Sequence, residues 1–335
     1  MIVLLAFIFA ACSPKNAVSP AAGEAAKPIV LMVGYENHPG EPADISMNKW
    51  KELLEQRSNG SMRLELYPSS QLGTKNEIMD QAIAGDPVAT ICDGSFYADR
   101  GVPDFGIALG PYLFDNYDEC WKLVESNWWQ EQVDKLAQNG LQIITANWIY
   151  GTRHTLTTFP VRTVADMKNR KIRVAASSIY IKMYEALGTA PVPMPLGEVY
   201  IALQQGVIDG QENPLSTIYN GKFHEVAKYL ILDGHVLNTT SWVCGTIFWN
   251  SLTDAQRELL RSTGDEAGVS HNEIMEEIDS EMLELLKAEG VIVVDPSPAV
   301  KEEFRKTAES FYTDPEITKD WSPNLYQTIR AIIKG

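Results

Sequence analysis

The sequence predicts an α/β protein built as two lobes, and three observations carry that prediction. At 335 residues the chain exceeds the size at which one hydrophobic core keeps growing. Strand-like apolar runs alternate with helix-like patterns through its first half. From Thr253 to about Glu289 the pattern is helical almost without interruption, a length of roughly 50 Å at ~1.5 Å per residue, longer than one small lobe.

The elements follow in order. Ile29–Val33 reads as a strand, Ser46–Glu55 as an amphipathic helix, and the alternating Met62, Leu64 and Leu66 as a second strand, which is βαβ grammar. Asn59-Gly60 closes that helix. Gly73 precedes the next one, around Glu77–Ile83, and a buried-strand candidate follows at Val88–Ile91. Leu141–Ala146 and Lys171–Val174 continue the series. In the long helical stretch Ile274, Ile278, Met282, Leu285 and Leu286 share one stripe. An interior glycine costs a helix only ~1 kcal/mol, so one helix across both lobes is the reading, with a break in two at Gly264 and Gly268 as its alternative.

The first eleven residues, MIVLLAFIFAA, are apolar, too short for the roughly 20 residues of a membrane span and of the length of a signal core. No basic n-region precedes them. Phe9-Ala10-Ala11-Cys12 resembles a lipobox, so residues 1–11 are expected to be a lipoprotein-type signal and Cys12 the lipid-bearing cysteine; a plain secretory signal is the alternative. Residues 12–27 are small and Pro/Ala-rich, which suits a flexible tether on the outer face of the cytoplasmic membrane. The other cysteines, Cys92, Cys120 and Cys244, are widely spaced and odd in number, which predicts buried free thiols.

A composition of 45% hydrophobic and 21% charged residues is ordinary for a globular protein. The formal charge of −16, with only 28 Lys and Arg that form no visible basic stripe, argues against nucleic-acid binding. No G-x-G-x-x-G or Walker-type loop is present, so no nucleotide cofactor is expected. The five histidines, His38, His154, His224, His235 and His271, lack metal-ligand spacing, and Gly94-Ser95 lacks the frame of a nucleophile elbow.

The dense segment from Tyr150 to His235 is the informative one. It carries Lys171-Ile172-Arg173-Val174, Glu198-Val199-Tyr200, Ala202-Leu203-Gln204 and Asp209-Gly210-Gln211-Glu212-Asn213-Pro214. Together with Tyr67-Pro68-Ser69-Ser70-Gln71-Leu72-Gly73 and Pro111-Tyr112-Leu113-Phe114, these motifs closely resemble the solute-binding subunits of tripartite ATP-independent periplasmic (TRAP) transporters, the DctP-like family, over nearly all of residues 28–335. The resemblance implies a periplasmic-binding-protein-like fold with a cleft between lobes and a long helix spanning both. Residues 28–151 plus 239–270 are expected to form lobe I, and residues 152–238 plus 271–335 lobe II. It also implies binding rather than catalysis, with an organic anion as ligand and membrane permease subunits as partners.

By the same resemblance Arg173 is the clamp for a ligand carboxylate, since a planar guanidinium offers two parallel N–H bonds. Arg153 is a second ligand-contacting guanidinium, and Asn213 an amide able to donate and accept beside the clamp. The competing roles are a surface ion pair for either arginine and an Asx turn for the asparagine. Glu36 follows the first strand and Asp93 the Val88–Ile91 strand, outside the carboxyl ends of strands where α/β folds place ligands, with solvated loop acids as their alternative. Trp148 and Trp242 are candidates for a sugar-facing ring or for core packing, and Leu196 for an aliphatic contact.

Glu36 and Asp93 would repel a second ligand carboxylate but accept from vicinal hydroxyls. That points to a polyhydroxylated monoacid, a hexuronate such as glucuronate or galacturonate or a related sugar acid, with hydroxyls against Glu36, Asp93, His38 and Asn213. C4-dicarboxylates are the alternative and need a second cation, for which Lys75 is nearest by motif. His154, next to Arg153, is a further expected ligand contact. Two other classes stand further off: a sensor lobe, and a periplasmic enzyme using His38 or His154 as base.

Overall fold

The computed structural model describes residues 27–335. The expected signal at 1–11, Cys12 and all but the last residue of the 12–27 tether lie outside the described residues. Nine strands share one hydrogen-bonded sheet: β1 (Ile29–Gly34), β2 (Met62–Tyr67), β3 (Val88–Cys92), β4 (Leu141–Thr157), β5 (Lys171–Val174), β6 (Ala190–Pro193), β7 (Gly210–Pro214), β8 (Tyr229–Gly245) and β9 (Ile292–Val294). Their order is β2-β1-β3-β8-β4-β7-β5-β6, with β9 on β8. Parallel pairs β1–β2 and β1–β3 build the first lobe, and β5–β6 and β5–β7 the second.

The lobes are joined by β4 and β8, two antiparallel strands of 17 residues each. Each is roughly 55 Å long at ~3.3 Å per residue, which a single small lobe cannot pair throughout. One end of β8 pairs with β3 of the first lobe and its other end with β9, while the far end of β4 pairs with β7. Their mutual register shifts four times between Ile143 and Thr155, and such bulges re-aim side chains and bend the ribbon where it changes lobes. The predicted strand at Leu141–Ala146 is thus the start of a crossing strand.

The helix Asp254–Ala288 is continuous, opened by a reciprocal capping box between Thr253 and Gln256. Its Leu260 and Ala267 pack in the first-lobe core with Trp50, Trp148 and Trp242, and its Met282 and Leu286 in the second-lobe core with Leu203, Ile218 and Leu230. Gly264 and Gly268 do not break it: they are notches at which a Cβ would stand 2.8 Å from the Trp50 ring and 2.4 Å from Asn147 Oδ1. The close approach requires glycine, and the packing gained exceeds the propensity lost.

A third core, with Phe105, Tyr180, Met183, Phe304 and Phe311, binds helices of both lobes on the other side of the sheet. The last helix, Leu325–Lys334, lies on Tyr117–Val124, where Lys122 Nζ donates to the Ile333 carbonyl at 3.2 Å and Arg330 to that of Leu113 at 2.7 Å. The chain end, numbered with the second lobe, therefore packs on residues numbered with the first. Cys92, Cys120 and Cys244 are buried free thiols. Among the described residues no helix is long and apolar enough to cross a membrane.

Candidate functional site

The carboxyl ends of strands from both lobes converge on one small pocket. Glu36 stands two residues past β1, Asp93 directly follows β3, and Lys75 opens the helix Lys75–Ala84. The second lobe contributes Arg173 from β5, Leu196 and Asn213, while Tyr150, Arg153 and Thr240 arrive on the crossing strands. Of the sequence candidates, the structure brings Arg173, Arg153, Asn213, Glu36, Asp93, Lys75 and Leu196 together.

Arg173 is only 2% exposed, and its Nε and Nη2 both donate to the Met194 carbonyl, at 3.0 and 2.7 Å. No carboxylate among the described residues is in ion-pair contact with it. Burial pushes the guanidinium's pKa below its ordinary value, and the more distant Glu36 and Glu212 offset that only in part. The charge therefore stands desolvated, with two Nη1 hydrogens and one Nη2 hydrogen unassigned out of five. Such an arrangement attracts an anion with a flat pair of acceptors.

Arg153 is placed differently. Its Nε and Nη2 hold Glu212 Oε2 and Oε1 at 2.5 and 2.8 Å, Nη2 also reaches Asn213 Oδ1 at 3.0 Å, and Nη1 reaches Asn238 Oδ1 at 3.0 Å. Burial lowers its pKa, but Glu212 raises it further, and the net shift is upward. Behind Glu212 stand His235, with Nε2 at 3.3 Å, and Asp233, 3.2 Å from His235 Nδ1. Burial pulls the His235 pKa down, yet Asp233 and Glu212 outweigh it and push it up to about 9. Opposite charges thus alternate through the sheet, and all but one Nη1 hydrogen of Arg153 is already committed.

On the facing wall Glu36 pairs with Lys75 at 3.3 Å and accepts from the Leu196 amide at 3.4 Å, a bond from one lobe to the other. Burial lowers the Lys75 pKa, and Glu36, with Tyr150, Cys92 and Asp93 behind it, more than reverses this. The ammonium also stands 5.2 Å from the Phe96 ring centre and 5.7 Å from that of Tyr150. Asp93 caps the helix Gly94–Ala98 through the Ser95 amide and hydroxyl at 2.9 and 2.5 Å, and accepts from the Tyr180 hydroxyl at 3.0 Å. It faces the pocket as a carboxylate already holding three donors. Asn213 gives its Nδ2 to Gln211 Oε1 at 2.6 Å, so its amide is oriented by Arg153 and Gln211 together.

Three expected ligand contacts do not line this pocket. His154 neighbours Arg153 on β4, and because successive strand side chains face opposite ways, it points to the other side of the sheet. There Gly234 donates to its Nδ1 at 3.1 Å. His38 turns to the Ser69 hydroxyl at 3.1 Å. Trp148 is 0% exposed in a cluster with Trp50 and Trp242, with ring centres 6.2 and 5.6 Å away, so both Trp148 and Trp242 take the core-packing role. Conversely Tyr150, Tyr180, Ala175 and Thr240 line the pocket without having been expected there. Tyr150 could have been found, because it lies three residues before Arg153 in the motif-rich segment; Thr240 carries no local signal.

The arrangement suits noncovalent capture of a polar monoanion: one unpaired guanidinium, flanking carboxylates and amides as hydroxyl acceptors, and tyrosine faces as walls. Among the described residues no three His, Cys, Asp or Glu side chains are grouped to hold a metal.

A family model described as bacterial extracellular solute-binding protein, family 7, matches residues 33–318. A TRAP periplasmic solute-binding protein from Ochrobacterium anthropi, solved with L-fuconate bound, is similar with a TM-score of 0.87 and 41% identity over 91% of this chain and 99% of that one. One from Actinobacillus succinogenes with L-galactonate bound gives 0.86 and 38% over 91% and 99%. The sialic acid-binding periplasmic protein SiaP of Vibrio cholerae is 29% identical over 304 residues, 89% of this chain and 90% of its own.

Proposed function

We infer the ligand from a settled premise: the chain belongs to family 7 of the bacterial extracellular solute-binding proteins, the ligand-capturing subunits of TRAP transporters, and is not an enzyme. Its ligand class is that of sugar acids and related carboxylates. Within that class we propose a six-carbon polyhydroxylated monocarboxylate, an aldonate of the galactonate type or a hexuronate such as galacturonate or glucuronate. The observation that carries this is the buried guanidinium of Arg173, which has no carboxylate partner among the described residues.

One ligand carboxylate satisfies that charge. A second would find Lys75 already paired with Glu36 and Arg153 with Glu212, and would meet Asp93 as a like charge. Hydroxyls instead find acceptors in Glu36, Asp93 and Asn213. The L-fuconate and L-galactonate bound by the two similar structures are hydroxylated monoacids of this kind. Closure of residues 28–151 plus 239–270 onto 152–238 plus 271–335 around β4, β8 and the long helix, delivery to the permease subunits, and anchoring through a lipid on Cys12 complete the reading.

A thermal-shift and calorimetry panel tests it, with L-galactonate, L-fuconate, galacturonate, glucuronate, succinate and malate. Ligand at 100 times its Kd stabilises the fold by about 2.7 kcal/mol. A sugar acid is expected to bind at least tenfold more tightly than either dicarboxylate. Succinate or malate binding more tightly than every sugar acid overturns the ligand and leaves the family membership intact.

A further inference from the structure

The helix Ser178–Ala186 of the second lobe starts four residues after β5, and its first turn meets the first lobe. Four N–H groups at the start of any helix have no partner within it. Ser177 takes one of them, the Ile179 amide, at 3.3 Å, and gives its own hydroxyl to the Ser95 carbonyl of the first lobe at 3.1 Å. The next is taken from across the cleft: the Ser178 amide donates to Asp99 Oδ2 at 3.0 Å, and its hydroxyl to Asp99 Oδ1. Two residues upstream the Ala176 carbonyl accepts from Asn76 Nδ2 at 3.1 Å. Asn76 is itself fixed by Arg100, whose Nη2 reaches the Asn76 carbonyl at 3.2 Å and Asp80 at 2.8 Å. Beside this contact Ile179 is 3% exposed and so close to Gly106 that a Cβ there would stand 2.5 Å from its Cδ1.

We propose that Asp99, supported by Asn76, is an interlobe latch: a carboxylate of one lobe that caps a helix of the other only when the lobes are closed, and so sets how long the ligand is retained without touching it. Neither Asp99 nor Ser178 lines the ligand pocket. The bonds are exposed, so on opening both partners return to water and the latch adds a modest, adjustable bias to closure. A carboxylate suits the place, because the helix dipole presents positive charge at that end. Since apparent affinity scales with the population of the competent state, loss of the latch raises Kd through faster release.

The proposal rests on the two-lobed binding reading above, and the test separates the two. Wild type, Asp99→Ala, Asp99→Asn and Asn76→Ala are titrated with L-galactonate and L-fuconate, and release is followed by stopped-flow fluorescence. Asp99→Ala is expected to raise both Kd values and both release rates about fivefold, the scale of a lost helix cap, with the ratio between the two acids unchanged. Asp99→Asn keeps part of the effect, and the ligand-free melting temperature does not move. Unchanged release, an altered ratio, or an equal loss of ligand-free stability overturns the latch.

If wild type binds neither acid, the ligand reading fails, and a second arm still decides the latch. Asp99→Cys with Ser178→Cys in a Cys12→Ser background should contract the scattering envelope on oxidation. Identical oxidised and reduced profiles mean that the two segments are permanently apposed, and the proposal falls.

Discussion

Replacing Arg173 by methionine removes the charge and keeps most of the stem. In the structure the Met194 carbonyl occupies two of the five N–H donors and leaves three for a ligand. A carboxylate taking two of them gains two charge-assisted bonds of about 1.5–3 kcal/mol each, so their loss costs about 3–6 kcal/mol. At ~1.4 kcal/mol per decade this is roughly two to four orders of magnitude in Kd. The ligand-free protein responds otherwise. Burial pushes the guanidinium's pKa down, so the charge is held unfavourably, and methionine at a site 2% exposed relieves that while leaving the Met194 carbonyl without donors, a loss of about 1–3 kcal/mol. The two effects oppose each other, and the ligand-free melting temperature should stay within about 5 °C of wild type. Calorimetry with the tightest sugar acid of the panel, beside melting curves with and without it, reads both quantities. A Kd within threefold of wild type refutes the clamp, and a collapse of ligand-free stability shows that Arg173 supports the fold instead. Arg173→Lys should fall between, since an ammonium keeps the charge and loses the fork.

Three further outcomes follow from the buried charges and the long helix. Glu212→Gln leaves Arg153 without its charged partner in a site 0% exposed, which should cost about 3–5 kcal/mol and lower the melting temperature by at least about 6 °C; a shift under about 2 °C would show that the pair is dispensable. His235, whose pKa is raised to about 9 in the fold against ~6.5 unfolded, contributes stability that is complete below about pH 6.5 and lost as pH rises through about 9. Melting curves from pH 6.5 to 9.5 should therefore show a decline in wild type that His235→Gln lacks, and parallel profiles would contradict the assignment. Gly268→Ala should destabilise by about 1–3 kcal/mol, because its Cβ meets Asn147 Oδ1 at 2.4 Å and Trp148 Nε1 at 2.8 Å, whereas helix propensity alone predicts a gain of ~1 kcal/mol; the sign of the change in a urea titration decides between them.

The fold class and half of the pocket were legible in the sequence for local reasons. Val88–Ile91 reads as a short buried strand and is buried at every position, Gly73 announces the helix that follows at Lys75–Ala84, and the nearly unbroken helical pattern from Thr253 to Glu289 declares a helix longer than a lobe. Glu36 and Asp93 follow strands, where α/β chemistry collects, so position along the chain was enough to nominate them, whereas Arg173 and Asn213 were nominated by the family motifs that contain them.

What needed the tertiary structure was how charges pair and which way side chains face. The motifs rank Arg173 as the clamp and Arg153 as second, but no local signal shows that Arg153 is spent on Glu212 while Arg173 stands open, because only the folding of β4 against β7 brings Glu212 beside Arg153. His154 was misplaced for the converse reason: adjacency in sequence is opposition on a strand, and the face of β4 that meets the ligand is set by pairing and bulges spread over residues 141–157. Thr240 and the Asp99–Ser178 bond join residues from distant parts of the chain, and such contacts exist only once two lobes and their crossing strands have been assembled. Local periodicity and motifs specify elements; long-range packing specifies which of their polar groups remain unpaired, and in this protein the unpaired one, Arg173, is where the ligand is expected.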